Sequence, residues 1–236
     1  PGEQSPDFTL ELFDTDTFER REVEMAKYKE QMLFICPKPH TNADRYQRPM
    51  RAVWQGDNTK FYVVRQSRDL KRADLCVVDI ASATAKDLIV EEMNTSIEWQ
   101  MPTLINGDKE IIQWSERTGW AHLYRYNSDG ELLGAITEGE WHVSNVLGVD
   151  DAKRVIYFTA TGYNKGEDPY YLHLFRVNYD GTGLKQLDPK DFCGDFSLSD
   201  DRRYFTTTYS RVDAAPVSEL YTTDGRRVMT LESVNL

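Results

Sequence analysis

Cysteine is scarce: three residues in 236, at positions 36, 76 and 193, odd in number and far apart. They form no disulfide framework that sequence can define, and they leave the redox compartment open. Cys76 sits inside a strand-like run and reads as a buried thiol. Positive charge is also short, with 28 Lys and Arg against 39 Asp and Glu and a formal charge of −11. That balance argues against a general nucleic-acid binder, which would meet the phosphate backbone with clustered cations. No apolar run reaches the length of a membrane-spanning helix. The opening Pro1–Gly2–Glu3–Gln4–Ser5–Pro6 has neither a start methionine nor an apolar leader region, so the chain is expected to begin inside a longer polypeptide.

Catalytic signatures are missing as well. There is no Gly-x-Ser-x-Gly elbow, and no histidine follows His173, so Ser210 and Asp213 compose no persuasive triad. Gly162 and Gly166 lack the lysine and hydroxyl residue that would make a phosphate cradle. His40 lies among Pro37, Pro39 and Asn42 in a connection and reads as a surface histidine. No set of His, Cys or carboxylates stands beside it at a zinc spacing. No catalytic, cofactor-binding or metal residue is therefore assigned, and no cofactor is expected.

What the chain does contain is aromatic and repetitive. Thirteen Tyr, ten Phe and five Trp favour sheets packed through large side chains. Four related strand-like runs start at Leu75, Leu123, Leu174 and Leu220, spaced 46 to 51 residues apart. Each follows another strand-like run (60–64, 110–114, 154–159, 203–209), and each of those follows a polar turn at 56–58, 106–108, 150–152 or 199–201. A period near fifty with several short strands per unit is the signature of propeller blades. The fold class expected is all-β, a partial β-propeller of four-stranded antiparallel blades.

The expected organisation is the C-terminal half of an upstream blade over residues 1–25, then a connection with a strand at Met32–Ile35 over 26–49. Blades follow at 50–92, 97–138, 142–188 and 192–233, all in one partial propeller domain. The four strands of the 50–92 blade are placed at 51–54, 60–65, 74–80 and 86–90. Packing residues are expected at Trp54, Val63, Val77, Trp114, Tyr124, Ile156, Phe175, Phe205 and Tyr221.

Four features invite a functional reading against a plainer one. The run Arg65–Arg72 is either a solvated loop or a binding loop, the solvated loop favoured. Glu116–Arg117 reads as a turn ion pair before it reads as an acid–base pair, since general catalysis needs a second positioned group. Trp120 and Trp141 either cover strand surfaces or form a ligand platform. The insertion 160–171, with its tyrosines, is an ordinary loop or the rim of a peptide-binding surface.

Ser115–Glu–Arg–Thr–Gly–Trp–Ala–His–Leu–Tyr124 together with Gly139–Glu–Trp141 resembles the signatures of the N-terminal propeller of the dipeptidyl peptidase IV family, particularly its bacterial branch. Leu147–Asp150, Val155–Ala160, Leu172–Arg176, Asp180–Leu187 and Ser197–Asp201 continue the likeness over almost the whole chain. The resemblance implies an α/β-hydrolase serine peptidase domain downstream, a peptide substrate from which N-terminal dipeptides are released, and an extracytoplasmic, periplasmic location. It places the serine, aspartate and histidine of catalysis after this chain and the amine-binding glutamate pair before Pro1. Glu91–Glu92 is not that pair, and Glu98–Pro102 lacks the Phe–Arg pair of a further family contact. The chain is thus expected to limit access to a peptidase site without performing the chemistry. The alternative is an extracytoplasmic peptide-binding or sensory propeller without peptidase activity. Exposed blade edges lead to the expectation of a homo-oligomer for the isolated chain.

Overall fold

A computed structural model describes residues 6–37, 58–189 and 191–233. The expected strand 51–54 with Trp54, and His40, lie outside them. Eighteen strands and no helix occur among the described residues.

Strands β1 (Leu10–Phe13) and β2 (Arg20–Val23) form a two-stranded antiparallel sheet. Asp14 turns the hairpin, its carboxylate accepting the amides of Asp16 and Thr17 at 2.9 and 2.7 Å. Next come β3 (Met32–Ile35), β4 (Lys60–Gln66), β5 (Arg72–Asp79) and β6 (Thr84–Glu92), paired in chain order and antiparallel throughout. The third sheet holds β7 (Thr103–Ile105), β8 (Glu110–Ser115), β9 (His122–Asn127) and β10 (Leu132–Ala135). The fourth holds β11 (His142–Asp150), β12 (Val155–Thr161), β13 (His173–Asn178) and β14 (Lys185–Gln186). The fifth holds β15 (Cys193–Leu198), β16 (Tyr204–Arg211), β17 (Ala214–Thr222) and β18 (Arg227–Ser233). Four sheets are therefore meanders of four strands, the blade unit of a propeller.

The pattern of burial explains the pattern of residues. Second strands such as Phe61–Val64 and Val155–Ala160 are buried on both faces, which is why they read as unbroken apolar runs rather than alternating ones. Fourth strands are the open edges, and every residue of β18 is exposed. Three meanders close their last hairpin on the same turn. Gly130, Gly181 and Gly225 each donate an amide hydrogen bond to the carbonyl three residues back, on Asn127, Asn178 and Thr222. At Gly130 the backbone has φ +87°, and a Cβ would stand 2.2 Å from the Leu88 carbonyl oxygen, so no other residue fits the turn.

The chain divides into two compact units: residues 1–111 with 126–132, and residues 112–125 with 133–236. In the first, Leu10, Leu12, Val23 and Met25 of the hairpin pack on Phe61, Val63, Cys76 and Val78 of the second sheet. In the second, Val155, Tyr157, Leu174 and Leu187 pack on Leu198, Phe205 and Tyr221 of the following sheet. Within each unit, apolar faces of neighbouring sheets thus bury one another.

Two expectations change. The 50–92 sheet takes its first strand from Met32–Ile35, which pairs with β4 from Met32↔Gln66 to Ile35↔Val63, so this sheet starts well before residue 50. The distance in sequence between the two strands hides that pairing from a local reading of turns. Val77 is half-buried while Cys76 and Val78 are buried. The other described packing residues, Val63, Trp114, Tyr124, Ile156, Phe175, Phe205 and Tyr221, are all buried.

Candidate functional site

The connection between β8 and β9 is built by its own sequence. Gly119, at φ +90°, donates its amide to the Glu116 carbonyl at 2.8 Å and closes a tight turn. The Arg117 amide and Nε both donate to Ser115 Oγ, at 3.2 and 3.1 Å, and its guanidinium lies 4.2 Å from the centre of the Tyr124 ring. Arg117 therefore braces the turn and covers one aromatic face, away from any acid–base role.

His122 opens β9 and is buried. Its Nε2 lies 2.9 Å from the Gly139 carbonyl oxygen, which can only accept, so the proton sits on Nε2. Its Nδ1 is 3.0 Å from Thr137 Oγ1, which also takes the Leu123 amide at 3.1 Å. Burial holds the imidazole below its ordinary pKa, against the opposing pull of the Gly139 carbonyl and Glu138. Both nitrogens are thus committed in a neutral ring, and the Thr137 hydroxyl, itself buried, serves as a structural bridge.

The Gly139–Glu140–Trp141 motif has a local cause. Gly139 is at φ +130°, and a Cβ there would fall 2.5 Å from Trp141 Nε1. Only glycine lets its carbonyl face His122 while the indole folds back to donate to the Glu138 carbonyl at 2.8 Å. Trp141 meets His122 edge-on at 4.9 Å and leads into Phe158, Phe175 and Tyr163. Trp141 is a buried packing residue, whereas Trp120 stands 43% exposed. Between Trp120, His122, Tyr124, Thr137 and Glu138 lies a pocket of about 230 Å³.

His173 occupies the same place in the next sheet, with opposite chemistry. Asp188 Oδ2 lies 2.8 Å from Nδ1 and Glu167 Oε2 lies 3.0 Å from Nε2. Burial alone would lower the pKa of His173, but the two carboxylates outweigh it and raise it. Burial in turn raises Asp188 above the usual carboxylate range. Glu167 also accepts the Asp191 amide at 2.9 Å and the Asn164 side chain at 2.9 Å, which pins the insertion 160–171 to the sheet. Tyr163 packs into the ring cluster, while Tyr170 is exposed.

The two histidines belong to a series that sequence reasoning missed. Asp74, His122, His173 and Glu219 each directly precede the leucine of the repeated run, and all four are buried. Asp74 Oδ2 gathers Tyr28 Oη at 2.7 Å, Lys27 Nζ at 3.0 Å and Arg65 Nη2 at 2.9 Å. Glu219 gathers Tyr221, Tyr209 and Arg227 at 2.6, 3.0 and 2.7 Å. The signal was a polar, ionisable side chain directly before the leucine in all four runs.

The remaining candidates fall as follows. The run 65–72 is not one solvated loop. Arg65 is buried in β4 against Asp74 and Asp87, Arg72 in β5 pairs with Glu92 at 3.1 Å, and Arg68 at the turn reaches Glu30 at 2.7 Å. Glu91 and Glu92 lie inside β6 rather than after it, alternating between buried and exposed faces. Ser210 pairs across the strand with Cys193, and Asp213 holds Arg211 at 2.6 Å, while the ring nitrogens of His122 and His173 are bonded to other residues. Gly162 and Gly166 turn the insertion with φ +76° and +89°. Among the described residues, no cluster of three or more His, Cys, Asp or Glu could hold a metal ion, and no helix is long and apolar enough to cross a membrane.

Successive four-stranded meanders, each carrying a buried polar residue directly before the leucine of its third strand, define an all-β protein of the propeller class. Residues 1–216 match the family described as the dipeptidyl peptidase IV (DPP IV) N-terminal region, and the chain belongs to that family. It is 35% identical over 121 residues to dipeptidyl peptidase 4 of Trichophyton equinum, a match covering 50% of this chain and 15% of that protein. It is 26% identical over 180 residues to dipeptidyl peptidase 4 of Arthroderma otae, covering 72% of this chain and 22% of that one. The fold is shared with crystalline Porphyromonas gingivalis dipeptidyl peptidase 4, with a TM-score of 0.77 at 20% identity over 95% of this chain and 29% of the other. A putative dipeptidyl aminopeptidase IV from Bacteroides ovatus superposes with a TM-score of 0.73 at 19% identity, over 96% of this chain and 33% of that one. The chain accordingly spans a third or less of the length of these relatives.

Proposed function

We propose that this chain is the non-catalytic propeller portion of a longer serine exopeptidase that releases N-terminal dipeptides, and that it limits access to the peptidase site. The observation that carries the reading is the family match over residues 1–216. Two features of the chain agree with it. Both nitrogens of His122 and of His173 are engaged by structural partners, so neither is free to activate a nucleophile. Each four-stranded sheet is tied by antiparallel pairing and buried apolar side chains, and a firm scaffold of this kind suits discrimination by size before any chemistry begins.

On this reading the reacting groups lie in an α/β-hydrolase domain of the same polypeptide, the substrate is a peptide with a free N-terminus, and the protein works outside the cytoplasm, in the periplasm. The hairpin at 10–23 is the second half of a blade whose first strands precede it in the longer chain. The blades begin with the sheet from Met32 and continue through those of 97–138, 142–188 and 192–233. The test is size discrimination. The longer polypeptide should cleave a dipeptide from short peptides and reject a folded protein bearing the same N-terminus. Equal cleavage of both would overturn the access-limiting role.

A further inference from the structure

The pocket beside the β8–β9 turn has a composition that selects for one kind of ligand. Its outer wall is the exposed indole of Trp120, and its inner wall is Tyr124, whose other neighbour is the Arg117 guanidinium. The floor is His122 with Thr137, whose polar atoms are spent on each other, on the Gly139 carbonyl and on the Leu123 amide. A ligand therefore finds no unsatisfied hydrogen-bonding group on the floor. What remains on the rim is the carboxylate of Glu138, an exposed group to which no described residue is bonded or paired.

An aromatic face with one uncommitted carboxylate attracts a cation with an apolar body. The ring quadrupole draws the positive charge over the indole, and the carboxylate adds a Coulomb term from the side. An anion would face Glu138 directly, and a neutral polar molecule would gain only a hydrogen bond exchanged against water there, without the charge attraction. The volume of about 230 Å³ admits a guanidinium or substituted ammonium head with part of its stem. The formal charge of −11 on the whole chain raises the local concentration of such ligands further.

We propose that the Trp120–Tyr124–Glu138 pocket is a binding site for organic cations, of the class of an arginine side chain or a quaternary ammonium group. It needs no downstream domain, so it stands or falls separately from the proposed function. Affinity at so open a site is millimolar, with the indole and the carboxylate each contributing about 2–5-fold.

The experiment is a titration of the full chain with tetramethylammonium chloride and with N-acetylarginine amide, at constant ionic strength, following the Trp120 indole N–H resonance assigned through Trp120→Phe. N-acetylcitrulline amide is the uncharged counterpart of the arginine probe. The expected result is a saturable shift of the Trp120 signal with both cations and none with citrulline. Glu138→Gln should weaken binding about threefold, and Trp120→Ala should weaken it at least as much. Glu138 is exposed, so its variant keeps the fold even where the tryptophan variant does not. Absence of a saturable shift, equal binding of the citrulline probe, or unchanged affinity in Glu138→Gln would each overturn the proposal.

Discussion

Asp74→Ala tests how much stability rests on the buried polar residue that precedes the leucine of each repeated run. The Asp74 carboxylate is fully buried, and its Oδ2 receives Tyr28, Lys27 and both Nε and Nη2 of Arg65. Burial pushes its pKa up, but the hydrogen bonds from Tyr28, Arg65 and Lys27 outweigh burial and hold it below the ordinary carboxylate value. Removing one partner of a buried charge pair costs about 3–5 kcal/mol, because the other charge stays buried without compensation. Arg65 is only 5% exposed, but Asp87, at 33%, still neutralises it, so the lower end applies: about 3 kcal/mol. At about 2–4 °C per kcal/mol for a chain of this size, the melting temperature should fall by about 6–12 °C. Urea and thermal unfolding at neutral pH measure both quantities. Removing Arg65 together with Asp74 should cost less than the two single losses combined. A depressed pKa gives stability that is present above the unfolded value and lost as pH falls through the native one. The parent should therefore lose stability below about pH 4 more steeply than Asp74→Ala. A loss below about 0.5 kcal/mol, typical of a surface site, would refute the reasoning.

Gly130→Ala should destabilise by more than about 2 kcal/mol, since it adds a backbone clash at Leu88 to the cost of positive φ; Gly119→Ala, with similar φ and open space, should cost about 1 kcal/mol. Equal losses in urea unfolding would show that the close approach is unimportant. Proton NMR should find His173 titrating above about pH 6.5 and His122 below it, from the opposite directions of their shifts. The sign for stability follows. The raised pKa of His173 makes its network strongest below the unfolded value and weaker as pH rises through the native one, so proteolysis of the 160–171 insertion should increase at alkaline pH. The lowered pKa of His122 acts in reverse, costing stability as pH falls below about 6.5. Light scattering of the isolated chain should show concentration-dependent association, since β18 is exposed along its whole length; a monomer at every concentration would count against it.

The sequence announced the sheets where turns and strands were close neighbours. Asp129–Gly130 and Asp224–Gly225 mark hairpins because a left-handed residue is required there, and glycine supplies it. The unbroken apolar runs at Phe61–Val64 and Val155–Ala160 were legible as strands because both faces are covered. The pairing of Met32–Ile35 with Val63–Gln66 was not, because register between strands well separated in sequence is decided by packing and leaves no local mark. The charged networks were hidden for a related reason. Arg65 looked solvated beside Arg68, Lys71 and Arg72, and its true partners Asp74 and Asp87 come to it only when β4, β5 and β6 align. Likewise His122 and His173 carry the same local sequence, His–Leu–aromatic–Arg, yet opposite pKa shifts, because Thr137 faces one and Asp188 the other.

The central claim is that this chain guards a peptidase site without supplying its chemistry. The direct measurement is release of a chromophore from an Ala-Pro reporter by the purified chain and by the longer polypeptide that carries it, alongside that polypeptide with its serine nucleophile changed to alanine. The account predicts turnover by the longer polypeptide, none by its serine variant and none by the chain alone. Turnover that co-purifies with the chain and is abolished by a substitution within residues 1–236 would contradict it.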